Sequence, residues 1–175
     1  MDIFYQALPE MIATLIGVVV GGVGALYINR KQEQSTKRKR AQIILHNIFA
    51  EMEDNFIAME KAKPAYENTP YGKSFYIKTI AWKTATTGGD LPDIIGFELA
   101  DTIENQYSIL QNLDYYVGLM TQLWFAPDSI EGKKDMQEGF RRHIIKGLQE
   151  AIDYHPYVIQ KITDSRKTRK NSPSF

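Results

Sequence analysis

The feature that most constrains this chain is an uncharged run near its amino terminus. From Met11 to Asn29, 19 consecutive residues carry no charge, and nine of them are Val, Ile or Leu. Because a helix rises about 1.5 Å per residue, a run of this length can cross a hydrocarbon layer of roughly 30 Å. The sequence therefore predicts a transmembrane helix over residues 11–29. A helix buried in a protein core is the alternative.

The charges on either side of this run predict its orientation. Asp2 and Glu10 precede it, whereas a cleavable signal peptide carries positive charge before its apolar segment. Basic residues follow it and are typically retained on the cytoplasmic side, where they also contact anionic lipid. We therefore expect residues 1–10 outside and the remaining domain in the cytoplasm. The basic flank comprises Arg30, Lys31, Lys37, Arg38 and Lys39.

Small residues recur on one face of the predicted span. Gly17 and Gly21 are four residues apart, and Gly24 continues the same face. Helices in lipid associate by close packing, so this spacing predicts that spans from several copies pack together. If they enclose a pore, the valines between the glycines are candidates for an apolar gate. Those valines are Val18, Val19, Val20 and Val23. Glycine is also common in spans that do not associate.

The rest of the chain predicts helices and no strands. Neither proline nor glycine occurs between Gly24 and Pro64, so we expect one helix from about Glu10 to Lys63, about 80 Å long. Its buried face is predicted at three- and four-residue steps. The residues of that face are Leu45, Ile48, Phe49, Met52, Phe56 and Met59. The segment KPAYENTPYGK should end this helix.

Three more helices are expected after it. The second runs from Ser74 to Thr86, and the third begins with Asp90 as its cap and Pro92 in its first turn. Apolar residues recur at helical spacing and so form one face on each helix. In the third helix the face is Ile95, Leu99, Ile103, Tyr107, Leu110, Leu113, Val117, Met120 and Trp124; in the last it is Phe140, Ile144, Leu148, Ala151, His155, Val158 and Ile162.

This pattern predicts an all-α fold, in which the span continues into a bundle of four or five helices over residues 30–165. The basic residues 166–175 are expected to be disordered. Basic and acidic residues balance at 21 each, so net charge gives no argument for nucleic-acid binding. The basic segments are better explained by solvation and topology than by RNA contacts.

Few residues suggest enzymatic chemistry. Cysteine is absent, which excludes disulfides, thiolate metal sites and a cysteine nucleophile. His46, His143 and His155 have none of the spacings typical of metal ligands, so no metal or other cofactor is expected. His155 lies on the predicted apolar face of the last helix, where we expect a core histidine with satisfied hydrogen bonds.

One pair of residues remains, in the segment RAQIILH. Arg40 and His46 are separated by five residues, a spacing that resembles the R-x(4-6)-H motif of the HEPN ribonuclease superfamily. A guanidinium can stabilise a phosphate while an imidazole transfers protons. On one continuous helix a six-residue step separates the two side chains by about 120 degrees. They would meet only if the helix broke at Arg40 or if a second subunit completed the site.

The layout of the whole chain resembles that of the small membrane accessory proteins of type VI-B CRISPR systems. The likeness is carried by MIATLIGVVVGGVGALYINRK and RKRAQIILH. It implies a homo-oligomeric ring of HEPN-like domains in the bacterial inner membrane, whose spans form a pore. The pore would depolarise the membrane after an RNA-guided effector finds its RNA. An anchored ribonuclease and a non-enzymatic membrane scaffold are the alternatives.

Overall fold

The computed structural model describes the backbone of residues 2–69 and 75–171, and the side chains of residues 17–69 and 75–169. Over these residues the chain forms five helices and no strand, which confirms the predicted all-α fold. The helices are α1 (Asp2–Asn68), α2 (Ile80–Thr86), α3 (Leu91–Ile95), α4 (Phe97–Phe125) and α5 (Lys133–Asn171). The chain divides into two compact units, of which one ends at Arg40 and the other begins at Ala41.

Helix α1 is continuous where one long helix was predicted, but it begins at Asp2 and not near Glu10, and it ends later. It runs through Pro64 to Asn68, past the predicted end at Lys63 but still within the segment KPAYENTPYGK that was expected to end it. Proline removes its own amide donor and its ring crowds the carbonyl four residues earlier, but the residues after it can still be helical, and the carbonyls of the last turn find other donors. The guanidinium of Arg141 donates to the Tyr66 carbonyl at 2.7 Å and to the Glu67 carbonyl at 2.9 Å.

Helix α2 is shorter than predicted, because the residues before it bond to α1 instead. Residues 75–79 are not helical. The side-chain amide of Asn55 donates to the Lys78 carbonyl and accepts from the Lys78 amide, both at 2.8 Å. This pair of bonds holds the Lys78 backbone in an extended pairing that a helical turn would not allow, and the helix starts at Ile80.

The predicted third helix is divided in two by Gly96. This residue has φ +97°, a backbone conformation that side chains with a Cβ rarely adopt. Its amide donates to the Pro92 carbonyl at 2.8 Å and its carbonyl accepts from the Ala100 amide at 3.0 Å. Asp90 stands at the predicted cap position of α3, but its side chain makes no cap hydrogen bond.

Helix α5 contains Pro156 and extends to Asn171. Residues 166–171, predicted as the start of a disordered tail, are therefore helical. Arg169 gives the reason, since its guanidinium donates to the carbonyls of Ile94 and Ile95 at 3.0 and 2.8 Å. The bonds satisfy carbonyls at the end of α3 and anchor this part of α5.

The core lies in the unit that begins at Ala41, where α4 packs along α5 and α3 packs against α4. The predicted apolar faces are confirmed with few exceptions. Phe49, Phe56 and Phe140 are half-buried, and Trp124 is 48% exposed. The fully buried residues include Leu45, Ile48, Met59, Ile103, Tyr107, Leu110, Ile144, Leu148, Val158 and Ile162.

Candidate functional site

The apolar residues at positions 17–28 of α1 are exposed on every side of the helix. The four valines predicted as a gate, Val18, Val19, Val20 and Val23, are 55% to 70% exposed, and Leu26 and Ile28 are similar. Single exposed apolar residues are common on soluble proteins, but a continuous apolar patch marks an interaction surface. This segment is therefore the first candidate site.

Among the residues whose side chains are described, no helical stretch is both long and apolar enough to cross a bilayer. The predicted span begins at Met11, and the side chains of residues 11–16 lie outside the described set. The side chains of the predicted external segment, residues 1–10, are also outside the described set. The assignment of residues 11–29 as a span therefore stays a prediction.

Among the residues whose side chains are described, none packs against the glycines of this segment. A Cβ added at Gly17, Gly21 or Gly24 would meet no atom within 4 Å. Glycine costs about 0.5–1 kcal/mol relative to alanine inside a helix, and no contact with a described residue offsets that cost. The glycine face is thus open to a second copy or to lipid.

The predicted basic flank is a fully exposed stretch of the same helix. Within it Lys37 pairs with Glu33, with 2.9 Å between Nζ and Oε1, and this contact holds the pKa of Glu33 below its ordinary value. Residues 30–40 contain six basic residues and one acidic residue, so the stretch stays strongly positive. Such a stretch binds anionic surfaces through charge alone.

Arg40 and His46, the candidate ribonuclease pair, both have exposed side chains on α1. No helix break occurs at Arg40, because α1 is helical from Asp2 to Asn68. One of the two conditions under which these side chains would meet is therefore not satisfied. The other condition, completion of the site by a second subunit, stays a prediction.

The other two histidines both lie on α5. His143 stacks on Tyr116, with 4.6 Å between ring centroids and 4° between the planes. His155 is buried as predicted, and its ring stacks on Phe56 at 4.3 Å. Over the described residues no group of three His, Asp or Glu side chains could hold a metal ion.

The hydrogen bonds of His155 are only partly satisfied. Its Nε2 lies 3.2 Å from Glu53 Oε1, whereas its buried Nδ1 has no partner among the described residues. Burial is the largest influence and lowers the pKa of His155, against the opposing effects of Glu53 and Glu60. The neutral ring is therefore the favoured form in the folded protein.

A buried polar cluster centred on Glu51 was not predicted. The Glu51 carboxylate accepts from the Ala81 amide at 2.8 Å, from the Trp82 amide at 3.4 Å and from the Tyr107 hydroxyl. Trp82 and Tyr107 stack at 4.9 Å. The carboxylate caps α2 from another helix, since Thr79 at the cap position makes no side-chain bond. The signal in the sequence is an acidic residue next to Met52 on the predicted apolar face.

Comparisons with known proteins add no relative. No family model, no curated protein and no solved structure matches the chain.

Proposed function

We propose that this protein is a membrane-anchored homo-oligomer whose amino-terminal helices associate within the bilayer. The observation that carries the proposal is the exposure of an apolar helix at positions 17–28, with glycines that no described residue covers. Together with residues 11–16, which are apolar except for Thr14, this stretch has the length of a span. Lipid on one side and further copies on the other would cover it.

The charges of the chain agree with this arrangement. The basic stretch over residues 30–40 follows the apolar residues directly, as it does in proteins whose following domain stays in the cytoplasm. We propose the bacterial inner membrane as the location, with the helical bundle on the inner side. The span itself carries no charge, so a pore between such helices would not select ions through charged side chains.

The resemblance to CRISPR accessory proteins gives the proposal its more specific form. In that form the spans enclose a pore whose constriction includes Val18, Val19, Val20 or Val23. An RNA-guided effector that has found phage RNA would open it, and the inner membrane would lose its potential. Apolar constrictions close pores by excluding water, so a gate of valines needs no moving charge.

An anchored ribonuclease is the second candidate. It needs Arg40 and His46 to face one phosphate, and two exposed side chains on a continuous helix give it little support. A membrane scaffold without enzymatic activity is the third. It predicts an anchored protein that stays monomeric, so oligomer size separates it from the first proposal.

The experiment is a measurement of mass in detergent combined with a leak assay. The monomer has a mass of 20.0 kDa, so light scattering after gel filtration gives the number of copies directly. We expect a discrete oligomer, and release of dye from liposomes that contain it together with the activated effector. A monomer would exclude the oligomer, and sealed liposomes would exclude the pore.

A further inference from the structure

A groove of about 650 Å³ lies between α1 and α5 in the unit that begins at Ala41. The described residues that line it are all polar, namely Gln42 from α1 and Thr163, Arg166 and Lys167 from α5. The three residues of α5 are spaced by three and four positions and so share one face of the helix. Two cations, an amide and a hydroxyl therefore face a common space.

Arg166 differs from the other arginines of α5 in having no hydrogen-bond acceptor among the described residues. Arg141 and Arg169 donate to backbone carbonyls, and Arg142 pairs with Glu138. The Arg166 guanidinium instead lies over the Phe49 ring, 5.3 Å from its centroid, and makes no hydrogen bond or ion pair with any described residue. Phe49 thus fixes one side of the guanidinium while its N–H donors stay available.

The other described polar side chains of the groove also lack a hydrogen-bond partner among the described residues. Thr102, Thr121 and Thr168 each donate a hydroxyl to the carbonyl four residues earlier, as threonines in helices commonly do. Thr163 makes no such bond within the described residues, and neither Gln42 nor Lys167 has a hydrogen-bond partner there. The described polar side chains of the groove therefore offer donors that have no acceptor among the described residues.

Such a set of donors matches a phosphate group on an organic molecule. Guanidinium and ammonium groups form strong charge-assisted hydrogen bonds to phosphate oxygens, and an amide and a hydroxyl complete the donor set. A volume of about 650 Å³ is far larger than a free phosphate needs and lies within the range of small-molecule sites, about 300–1,000 Å³. A groove between two helices suits a soluble ligand better than the flat surface of a bilayer.

We propose that this groove binds a soluble organic phosphate of nucleotide size, with Arg166 as its main anchor. The inference is independent of the proposed membrane function, because every residue in it belongs to the helical bundle. A site of this kind would let a small phosphorylated molecule bias the packing of α1 against α5, since the ligand contacts both helices.

The test is a titration of the full chain in detergent micelles with 5′-AMP, monitored by calorimetry. We expect saturable binding that Arg166→Gln weakens about tenfold or more, the effect of losing hydrogen bonds to a charged group. Arg166→Lys keeps the charge but loses the planar donor geometry, and should weaken binding less. Arg142→Gln is the matched control, because Arg142 lies on the same helix and is exposed and paired with Glu138. It should bind as the native chain does.

Two further probes distinguish a nucleotide-sized ligand from free phosphate and from a lipid headgroup. Inorganic phosphate should bind much more weakly than 5′-AMP. Binding of the protein to vesicles of anionic phospholipid should change by the same amount in Arg166→Gln and Arg142→Gln. The proposal is overturned if binding of 5′-AMP does not saturate or if both glutamine variants lose 5′-AMP binding equally. It is also overturned if Arg166→Gln weakens binding to the vesicles but not to 5′-AMP. Circular dichroism of each variant checks that loss of binding is not loss of fold.

Discussion

The Tyr107 hydroxyl on α4 donates a hydrogen bond to the Glu51 carboxylate on α1, with 2.5 Å between the two oxygens. Burial, and then this bond, raise the pKa of Tyr107, so the hydroxyl stays a donor at physiological pH. The same carboxylate accepts the first amides of α2. One buried side chain thus joins three helices.

Removing the hydroxyl should destabilise the bundle. We expect Tyr107→Phe to lower the free energy of unfolding by about 1.5–3 kcal/mol, because the buried carboxylate loses a donor that nothing else replaces. Tyr115→Phe is the control, since Tyr115 is 61% exposed. Denaturant unfolding in detergent measures both. Equal stability of the two variants would show that the bond to Glu51 contributes nothing.

His155 should make stability depend on pH. Its pKa is below the ordinary 6.5, mainly because the ring is buried. The unfolded chain therefore binds a proton first as the pH falls, so this contribution to stability is complete above pH 6.5 and is lost below it. The slope should be at most about 1.4 kcal/mol per pH unit.

Unfolding curves between pH 7.5 and pH 5 measure this effect. His155→Phe retains an aromatic ring against Phe56 and removes the titrating group, so its stability should fall less steeply over the same range. If both proteins have the same slope, His155 does not carry the pH dependence.

The glycine face predicts a change in oligomer size. A leucine at Gly21 would keep the segment apolar but would hold neighbouring helices apart, so we expect Gly21→Leu to reduce the oligomer towards the monomer. Val19→Leu is the control, because Val19 is exposed and its replacement adds bulk to a side chain rather than to bare backbone. Light scattering in detergent compares the two. An unchanged mass for Gly21→Leu would exclude this packing face.

The Arg40 and His46 pair predicts a negative result. We expect purified native protein to leave RNA intact, and Arg40→Ala and His46→Ala to release dye from liposomes as the native chain does. A fluorescent RNA substrate incubated without metal measures cleavage. Cleavage that both substitutions abolish would favour the ribonuclease instead, since it would require the two side chains to meet across subunits.

The sequence predicted the helical core well, because buried positions recur about every 3.6 residues along a helix and apolar side chains occupy them. It failed where one long-range polar contact decides a boundary. Asn55 holds Lys78 out of α2, and Arg141 and Arg169 satisfy carbonyls that lie 74 or 75 residues away in the chain. Such partners leave no local pattern.

The candidate sites divide in the same way. The exposed glycines and valines follow from composition and spacing, so the sequence identified them. Arg166 and Lys167 were visible only as part of a basic tail, and Gln42 and Thr163 gave no signal, because the groove that they share depends on the packing of α1 against α5. Glu51 was missed because its three donors come from α2 and α4.

Topology can be mapped with single cysteines, since the native chain has none. We expect a membrane-impermeant maleimide to label Asp2→Cys in spheroplasts, and to label Asp128→Cys only after lysis, because the bundle should lie inside. The side chain of Asp128 is 98% exposed, so folding does not protect it. Labelling of Asp128→Cys in intact spheroplasts would show that the bundle lies outside, opposite to the proposed orientation.

The most direct test of the proposal is whether the protein is an integral membrane protein. Cells that express the native chain are lysed without detergent, and the membranes are washed with alkaline carbonate, which removes peripheral proteins. We expect the protein to stay in the pellet until detergent is added. Recovery of the intact protein in the soluble fraction would contradict it.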